Sequence, residues 1–130
     1  MKIDMIVRGI CCIVPQIKGK TENISIISIV GRFLEHSRIY CFGEYEDDMK
    51  MYISSADVMT RNTERRVEIA CPIYDEDAKN RIYKLIEASL SDNEKARSLK
   101  SNKKYEKIKA ENEQYFNSQQ FLLEQTDTSY

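Results

Sequence analysis

One stretch near the N-terminus constrains the fold more than any other feature of this chain. Residues Ile24–Val30 are almost all β-branched, with two serines among them, and a glycine follows directly. Such density favours an extended strand, and a nearly continuous apolar run is typical of a strand in a sheet that is covered on both faces. The shorter run Ile3–Val7 has the same character and ends at Arg8-Gly9. We therefore predict that both runs are buried strands of one sheet.

Three more strands are predicted before the pattern changes. Arg38–Phe42 and Met49–Ser54 are separated by the polar segment Gly43–Asp48, which favours an antiparallel hairpin. Arg66–Cys71 is another candidate strand, and we expect it to stop at Pro72, because proline cannot donate a backbone hydrogen bond to a neighbouring strand.

From Asp75 onward the apolar residues recur at helical spacing. Asp75 is a suitable N-cap, and one apolar stripe follows it, made of Ala78, Ile82, Leu85, Ile86 and Leu90. A second, more exposed helix is predicted from the seam Tyr105, Ile108, Tyr115, Leu122 and Leu123, with a frayed end over Thr126–Tyr130. The order of strands followed by helices predicts an α/β or α+β fold, in which a mixed sheet is flanked by helices that lie mainly in the C-terminal half.

The size and net charge of the chain exclude some classes of protein. The chain has 130 residues, which suits a single domain over 1–130. It carries 20 lysines and arginines against 21 acidic residues, so its formal charge is -1. That balance argues against a globally basic nucleic-acid-binding protein, and any anion site must come from local clustering.

The cysteines and the chain start bear on the cellular compartment. Cys11, Cys12, Cys41 and Cys71 show no C-x-x-C spacing, and one histidine is present, so we predict reduced, buried thiols and no zinc site. The sequence contains neither an apolar run long enough to span a bilayer nor a signal peptide, which favours a cytoplasmic protein. Strand-like sequence begins by Ile3, and this abrupt start is consistent with a piece of a longer polypeptide.

Three clusters could bind an anion. Arg8 follows a strand and precedes Gly9, which permits close backbone approach to a ligand. Gly31–Arg38 places the histidine, His36, between Arg32 and Arg38. Guanidinium groups pair well with phosphate, and an imidazole can donate or accept a proton near neutral pH. The alternatives are a surface arginine bound to a carboxylate, and a histidine that only caps a turn or pairs with a neighbouring acid.

The third cluster lies at the end of another predicted strand. Ser54–Asn62 contains small hydroxyl residues, Asp57 and Arg61, and Arg65-Arg66-Val67-Glu68 follows closely. Asp57 could orient a catalytic side chain, or the segment could simply cap a helix. A separate basic stretch, Lys95–Lys109, contains seven basic residues and one acid, which is most often a solvated surface.

Several of these segments together resemble a known family. They are Ile6–Cys12, Glu22–Ile24, Ser28–Tyr40 and Ser54–Asn62. Their order and spacing are similar to the carboxy-terminal catalytic domain of bacterial polyphosphate kinase of the histidine-phosphorylating type. The resemblance extends over nearly the whole chain and thins after about Leu99.

The resemblance implies a fold and a set of site residues. That family has two related phospholipase-D-like carboxy-terminal domains, and this chain resembles the last of them, without the N-terminal, head and first catalytic domains. It implies that His36 is the catalytic histidine present here, and that Arg8 and Arg66, with His36, bind ATP phosphates. The phosphorylated nucleophile and most of the Mg²⁺ binding would lie on the missing domains. Weaker phosphate-site candidates are Arg32, Arg38, Arg61 and Asp57.

The phospholipase D sequence pattern, H-x-K-x4-D followed by G-[GS]-x-N, is met only in part. His36 fits, while Arg38 stands in place of the lysine and Gly43 in place of the aspartate. Ser54–Asp57 resembles the trailing element. The missing aspartate argues against a stand-alone phosphodiesterase.

The resemblance predicts one half of a reversible phosphoryl-transfer site, inactive by itself. Its partners would be ATP or ADP, polyphosphate, the remaining domains of the same polypeptide and, where the enzyme oligomerises, further copies. Location would be cytoplasmic, with membrane association through the full-length enzyme left open. Two alternatives remain: a phospholipase-D-like phosphodiesterase active only as a dimer, and a non-catalytic polyanion-binding module that uses Lys95–Lys109.

Overall fold

The computed structural model describes residues 1–44, 49–110 and 114–127. Within them the chain forms a mixed α/β structure whose two longer helices lie in the C-terminal half, as the sequence predicts. The strands form two sheets, whereas the sequence predicted one. In chain order the elements are β1 (Ile3–Ile6), β2 (Ile24–Ile29), β3 (Ile39–Phe42), β4 (Lys50–Ser54), α1 (Thr60–Arg65), β5 (Ala70–Ile73), α2 (Glu76–Ser91), β6 (Ala96–Leu99), β7 (Tyr105–Lys107) and α3 (Ser118–Asp127).

The chain divides into two compact units. The first combines Met1–Leu34 with Leu85–Tyr130, and the second is the segment Glu35–Lys84 between them. The boundary falls inside α2.

A four-stranded mixed sheet, in the order β1-β2-β6-β7, forms the first unit. β1 runs parallel to β2, whereas β6 is antiparallel to both β2 and β7. The apolar side chains buried here are Ile26, Ile29, Ala88, Ala96 and Leu99. β2 is therefore the strand that its sequence predicts and is buried at its C-terminal end, but Val30 lies beyond it and is exposed. β1 is not, because it lies at the sheet edge and leaves Asp4 and Ile6 exposed.

The prediction of one helix through Tyr105 and Leu123 was wrong in its first half. Ala96–Leu99 and Tyr105–Lys107 form a β-hairpin instead, and its turn spans residues 100–104. In that turn Lys103 takes a positive φ of 65°, and the Asn102 side chain accepts a hydrogen bond from the Lys104 amide. Turn-forming Ser101 and Asn102 reverse the chain, so Tyr105–Lys107 pairs with β6 instead of beginning a helix.

The second half of that prediction fits the structure in part. Leu122 and Leu123 lie on α3, but Tyr115 precedes this helix. Thr126 was expected to fray and is helical instead. Residues 128–130 lie outside the described part of the chain.

One buried carboxylate organises the chain around β6 in the first unit. Asp92 is only 1% exposed. Its Oδ1 accepts hydrogen bonds from the amides of Glu94, Lys95 and Ala96, at 3.1, 2.7 and 3.0 Å. Its Oδ2 accepts two more, from the amide and the hydroxyl of Ser118, both at 2.8 Å. Asp92 therefore ties the start of β6 to the start of α3.

The second unit contains an antiparallel sheet in the order β3-β4-β5. The predicted hairpin is confirmed, with Ile39 opposite Ile53 and Phe42 opposite Lys50. Part of its predicted connection, residues 45–48, lies outside the described residues.

The strand predicted over Arg66–Cys71 lies further along the chain, at Ala70–Ile73, and includes Pro72 opposite Tyr52. β5 is an edge strand, so a proline that lacks an N–H can turn that side away from its neighbour. Pro72 therefore did not end the strand as expected. The short helix α1, from Thr60 to Arg65, was not predicted.

Helix α2 begins as the sequence indicates. Asp75 caps it, since the Asp75 carboxylate accepts a hydrogen bond from the Ala78 amide at 2.8 Å. The predicted stripe is half-buried from Ala78 to Ile86, but Leu90 is exposed, and the fully buried positions are Ala88 and Ser89. At the C-terminal end of α2 the buried face is therefore formed by Ala88 and Ser89 and not by Leu90.

All four cysteines are free. Their predicted burial was wrong, because Cys12 and Cys71 are exposed and Cys11 and Cys41 are only half-buried. Burial raises the pKa of the Cys41 thiol. Among the residues that the structure describes, no helix combines the length and apolar character that a membrane span requires.

Candidate functional site

The end of the β3–β4 hairpin brings two of the predicted clusters together in the second unit. β3 starts at Ile39 and pairs antiparallel with β4, so the residues before β3 meet those after β4. The Ser54 amide donates a hydrogen bond to the carbonyl oxygen of Arg38 at 2.9 Å. His36–Arg38 and Ser54–Asp57 therefore lie side by side, although about 20 residues separate them in the chain.

Three polar side chains form a connected chain at this hairpin end. Arg38 donates through Nε to Asp57 Oδ1 at 2.6 Å and through Nη2 to Asp57 Oδ2 at 3.4 Å. The same Nη2 lies 2.9 Å from His36 Nε2. His36 is exposed, whereas Arg38 and Asp57 are partly buried. Arg38 is thus fixed from one side by a carboxylate and contacts the imidazole on the other.

This arrangement determines the charges in the site. The hydrogen bond from Arg38 is the main cause that lowers the pKa of Asp57, and the same bond raises the pKa of Arg38. The two groups therefore remain an ion pair across the neutral range.

The contact between Arg38 and His36 selects one tautomer of the imidazole. A guanidinium has only N–H donors, so in this hydrogen bond Arg38 donates and His36 Nε2 accepts. The tautomer that fits this contact has its ring proton on Nδ1. A lone pair on Nε2 faces a cation, and phosphate oxygens could compete for that cation's donors.

Local hydrogen bonds hold the turn that presents Asp57. The Ser54 hydroxyl accepts from the Ala56 amide at 3.1 Å and donates to the Ile69 carbonyl at 3.0 Å. The Tyr40 hydroxyl donates to the Ala56 carbonyl at 3.1 Å. These bonds fix the backbone on which Asp57 sits, so Arg38 is positioned by a rigid partner.

Glu68 has a part in this region that the sequence reading did not assign. One of its carboxylate oxygens accepts from the Ser55 hydroxyl, and the other accepts from Asn62 Nδ2 at 3.0 Å. Asn62 is 3% exposed and also accepts from Arg61 Nε at 3.3 Å. Glu68 thus links α1 to the turn after β4. The only sequence feature that could have indicated this role was the position of Glu68 in the Arg65–Glu68 segment.

The remaining predicted arginines lie elsewhere. Arg66 follows α1 and is exposed, without a hydrogen bond or ion pair to any residue in the described ranges. Arg8 and Arg32 belong to the first unit and are exposed. Arg8 follows β1 and precedes Gly9, whose φ of 103° is one that glycine favours. Arg32 lies over the ring of Phe33, 5.3 Å from its centroid.

The segment that leads towards His36 is anchored within the first unit. The Phe33 amide donates to Gln119 Oε1 at 3.0 Å, and Gln119 Nε2 donates to the Phe33 carbonyl at 2.9 Å. A Cβ at Gly31 would overlap with the side-chain amide of Gln119. The glycine at position 31 therefore permits this docking of α3.

Position 43 explains the departure from the phospholipase D pattern. Gly43 has a φ of 102°, a backbone conformation that an aspartate rarely adopts. The pattern's aspartate would therefore be strained here. Among the described residues, no group of three or more histidine, cysteine or acidic side chains could hold a metal ion.

An ion-paired arginine beside an accepting imidazole, on a mixed α/β scaffold, defines a candidate phosphate-binding site. Comparison with known proteins shows the family. The family model described as polyphosphate kinase C-terminal domain 2 matches residues 1–119. The chain therefore belongs to the polyphosphate kinase C-terminal domain family.

Individual relatives point the same way. A polyphosphate kinase from Staphylococcus saprophyticus is 46% identical over 125 residues, which cover 96% of this chain and 17% of that protein. One from Bacillus cereus is 52% identical over 97 residues, covering 75% of this chain and 14% of that protein. The crystal structure of polyphosphate kinase from Porphyromonas gingivalis superimposes with a TM-score of 0.87 at 36% identity, covering 98% of this chain and 20% of that one.

The chain thus spans less than a fifth of the length of these two curated relatives. Its resemblance to polyphosphate kinase, expected from the sequence, is confirmed.

Proposed function

We propose that this chain is the last catalytic domain of a polyphosphate kinase and forms one half of its phosphoryl-transfer site. The observation that carries the proposal is the His36–Arg38–Asp57 chain, with 2.9 and 2.6 Å contacts, in a member of this family. The activity needs other domains of the same polypeptide, which agrees with the small share of each relative that this chain covers.

The proposed reaction has two steps and is reversible. In the first, a histidine nitrogen on another domain attacks the terminal phosphorus of ATP, a P–N bond forms, the bond to the bridging oxygen breaks, and ADP leaves. In the second, a terminal oxygen of polyphosphate attacks the same phosphorus, the P–N bond breaks, and the chain grows by one unit. Both steps develop charge on phosphoryl oxygens, so positioning and electrostatic stabilisation dominate catalysis.

In this proposal His36 contacts the phosphoryl group opposite the nucleophile and does not carry it. Arg38 holds the imidazole through Nε2, and the Asp57 carboxylate fixes Arg38 in turn. The proton on Nδ1 leaves that nitrogen free to donate to a phosphoryl oxygen. Asp57 is then a positioning residue, as the sequence suggested, and Arg38 either steadies His36 or binds phosphate itself.

Two exposed arginines are proposed as ATP-phosphate ligands. Arg66 fits this role because its guanidinium is exposed and has no partner in the described part of the chain. Arg8 is proposed on the same ground, together with the close backbone approach that Gly9 permits. Arg61 is a weaker candidate, since it already donates to Asn62, and Arg32 is weaker because it lies over Phe33.

The described residues around His36 do not fit a magnesium site. Near His36 the carboxylate of Asp57 is engaged by Arg38, and that of Glu68 is engaged by Ser55 and Asn62. We therefore propose that Mg²⁺ accompanying ATP is bound mainly by the other domains. A cytoplasmic location remains a prediction.

The dimeric phosphodiesterase alternative is less well supported. Its pattern requires an aspartate where Gly43 takes a φ of 102°. The family match favours phosphoryl transfer instead.

Labelling with ATP tests the proposal. The 130-residue chain incubated with [γ-³²P]ATP and Mg²⁺ is expected to remain unlabelled, because the nucleophile is absent from it. A full-length kinase carrying this chain is expected to gain one acid-labile phosphohistidine, which peptide mapping would locate outside these residues. Strong labelling of the isolated chain that disappears in His36→Ala would instead make His36 the nucleophile and refute the proposal.

A further inference from the structure

Two cations lie directly opposite each other on neighbouring strands of the first unit. Arg97 on β6 pairs with Lys107 on β7, and Ser28 on β2 lies on the other side of Arg97 in the same row. Like charges directly opposite each other in a sheet are destabilising. Both side chains are exposed, and neither forms an ion pair with a carboxylate in the ranges that the structure describes. Because no carboxylate in the described ranges offsets the repulsion between Arg97 and Lys107, the pair points to a bound anion that neutralises it.

A cleft of about 480 Å³ lies at this row. Its lining includes Arg97, Lys107 and a third cation, Lys95, together with Gly9 and Ser28. The single carboxylate in its lining, Glu94, is 2.9 Å from Lys95 Nζ. The cleft therefore carries a net positive charge from the side chains that form it.

One residue that lines this cleft, Tyr105, carries a hydrogen-bond donor without a partner among the described residues. The Tyr105 hydroxyl is buried and has no hydrogen-bond partner among the described residues. Buried hydroxyl groups are normally paired, so an unpaired one calls for an explanation. A ligand oxygen that reaches into the cleft would supply the missing acceptor.

Arg97 and Lys107 lie on a part of the fold that is held in place by other contacts. Asp92 accepts hydrogen bonds from the amides of Lys95 and Ala96, which fixes the backbone immediately before Arg97. Lys107 Nζ lies 5.8 Å from the centroid of the Tyr115 ring. The backbone before Arg97 and the side chain of Lys107 are therefore both constrained by neighbouring side chains.

We propose that this cleft, the β6–β7 cleft, binds a segment of an inorganic polyphosphate chain. Neighbouring strands are about 4.8 Å apart, so cations on adjacent strands can contact successive phosphates of a linear polyanion. The inference rests on the proposed function, because that function supplies polyphosphate as the ligand, but the cleft belongs to the first unit and His36 to the second. ATP shares the phosphoanhydride chemistry, and the experiment separates the two.

The test compares binding by two charge-matched variants. Arg97→Gln/Lys107→Gln removes the facing cations. Lys18→Gln/Lys20→Gln removes two exposed lysines from the turn before β2, at the end of that strand opposite to Ser28. Titration calorimetry of the 130-residue chain with linear polyphosphate and with ATP, at about 0.1 M salt, gives the affinities. Urea unfolding measures whether each variant still folds.

The cleft variant is expected to bind polyphosphate about tenfold more weakly or worse, while the control changes less than about twofold. Its stability should be equal to or above that of the parent, because a like-charge pair is gone. The cleft lies in the first unit and His36 in the second, so failure of the catalytic role proposed for His36 would leave this result intact. Equal weakening in both double variants, or an equal loss for ATP, would overturn the proposal. If Arg97→Gln/Lys107→Gln were less stable than the parent, the claim that Arg97 and Lys107 repel each other without relief would be overturned. In that case Arg97→Lys, which keeps the charge, must restore both folding and polyphosphate binding.

Discussion

Replacing His36 with alanine in a full-length kinase that carries this chain is expected to lower polyphosphate synthesis by about a hundredfold or more. The imidazole in the proposed site contacts the phosphoryl group while charge develops on its oxygens, and alanine removes that contact. Folding should be unaffected, because His36 is exposed and Arg38 keeps its bond to Asp57. Initial rates with ATP at saturation, together with urea unfolding, measure both effects.

Ser37→Ala serves as the matched control, since Ser37 is the exposed neighbour of His36 in the same segment. It is expected to keep near-normal turnover. His36→Gln should retain part of the activity, because an amide can still hydrogen bond to phosphate. Near-normal synthesis by His36→Ala in a folded enzyme would remove His36 from the mechanism.

The second large effect is on stability and concerns Asp92. Asp92→Asn is expected to destabilise the 130-residue chain by about 3 kcal/mol, because one oxygen of a buried carboxylate that accepts five hydrogen bonds becomes a donor. The amide NH₂ of asparagine can replace only one of the two carboxylate oxygens. The backbone N–H groups that bonded to the replaced oxygen, at the start of β6 or of α3, then remain buried without an acceptor. Urea unfolding at pH 7 measures the loss.

The same residue predicts a pH dependence. Burial by itself raises the pKa of Asp92, but the hydrogen bonds from Ser118, Lys95 and Ala96 outweigh it, so the pKa lies below its usual value. The stability that the ionised group contributes is therefore present above the unfolded pKa of about 3.9 and is lost as pH falls towards the folded value. Asp92→Asn should show a shallower loss of stability below about pH 4.

Asp4→Asn is the control for Asp92, because Asp4 is an exposed residue that pairs with Lys2 at the surface. We expect it to change stability by less than about 0.5 kcal/mol. If Asp92→Asn changed the free energy of unfolding as little as Asp4→Asn does, the organising role of the buried carboxylate would be refuted.

The parts of the fold that followed from the sequence are those with strong local signals. The β-branched run of β2, the hairpin of β3 and β4, and the Asp75 cap of α2 each depend on residues close in the chain. The same hairpin could have predicted that Arg38 and Asp57 meet, because residues that flank an antiparallel pair must approach each other.

Other features depend on contacts that no local pattern encodes. Pro72 lies within β5 because that strand is at an edge, and edge position follows from the whole sheet. Lys95–Lys109 was interpreted as a charged helix surface, but its buried positions, Ala96 and Leu99, are set by pairing with β2 and β7. The part played by Glu68 depends on a turn 13 residues away in the chain.

The signal for Asp92 was present in the sequence. An aspartate that follows a helix and precedes a short polar stretch is typical of a side chain that hydrogen bonds to the amides after it. Its second set of bonds, to Ser118, spans 26 residues and could not be read locally.

The most direct test of the proposed role of His36 is a structure of a full-length kinase carrying this chain, with a non-hydrolysable ATP analogue and Mg²⁺ bound. We predict that a terminal phosphate oxygen lies within hydrogen-bond distance of the His36 imidazole and that Arg38 still bridges His36 and Asp57. A nucleotide whose phosphates all bind beyond reach of His36 would contradict the account.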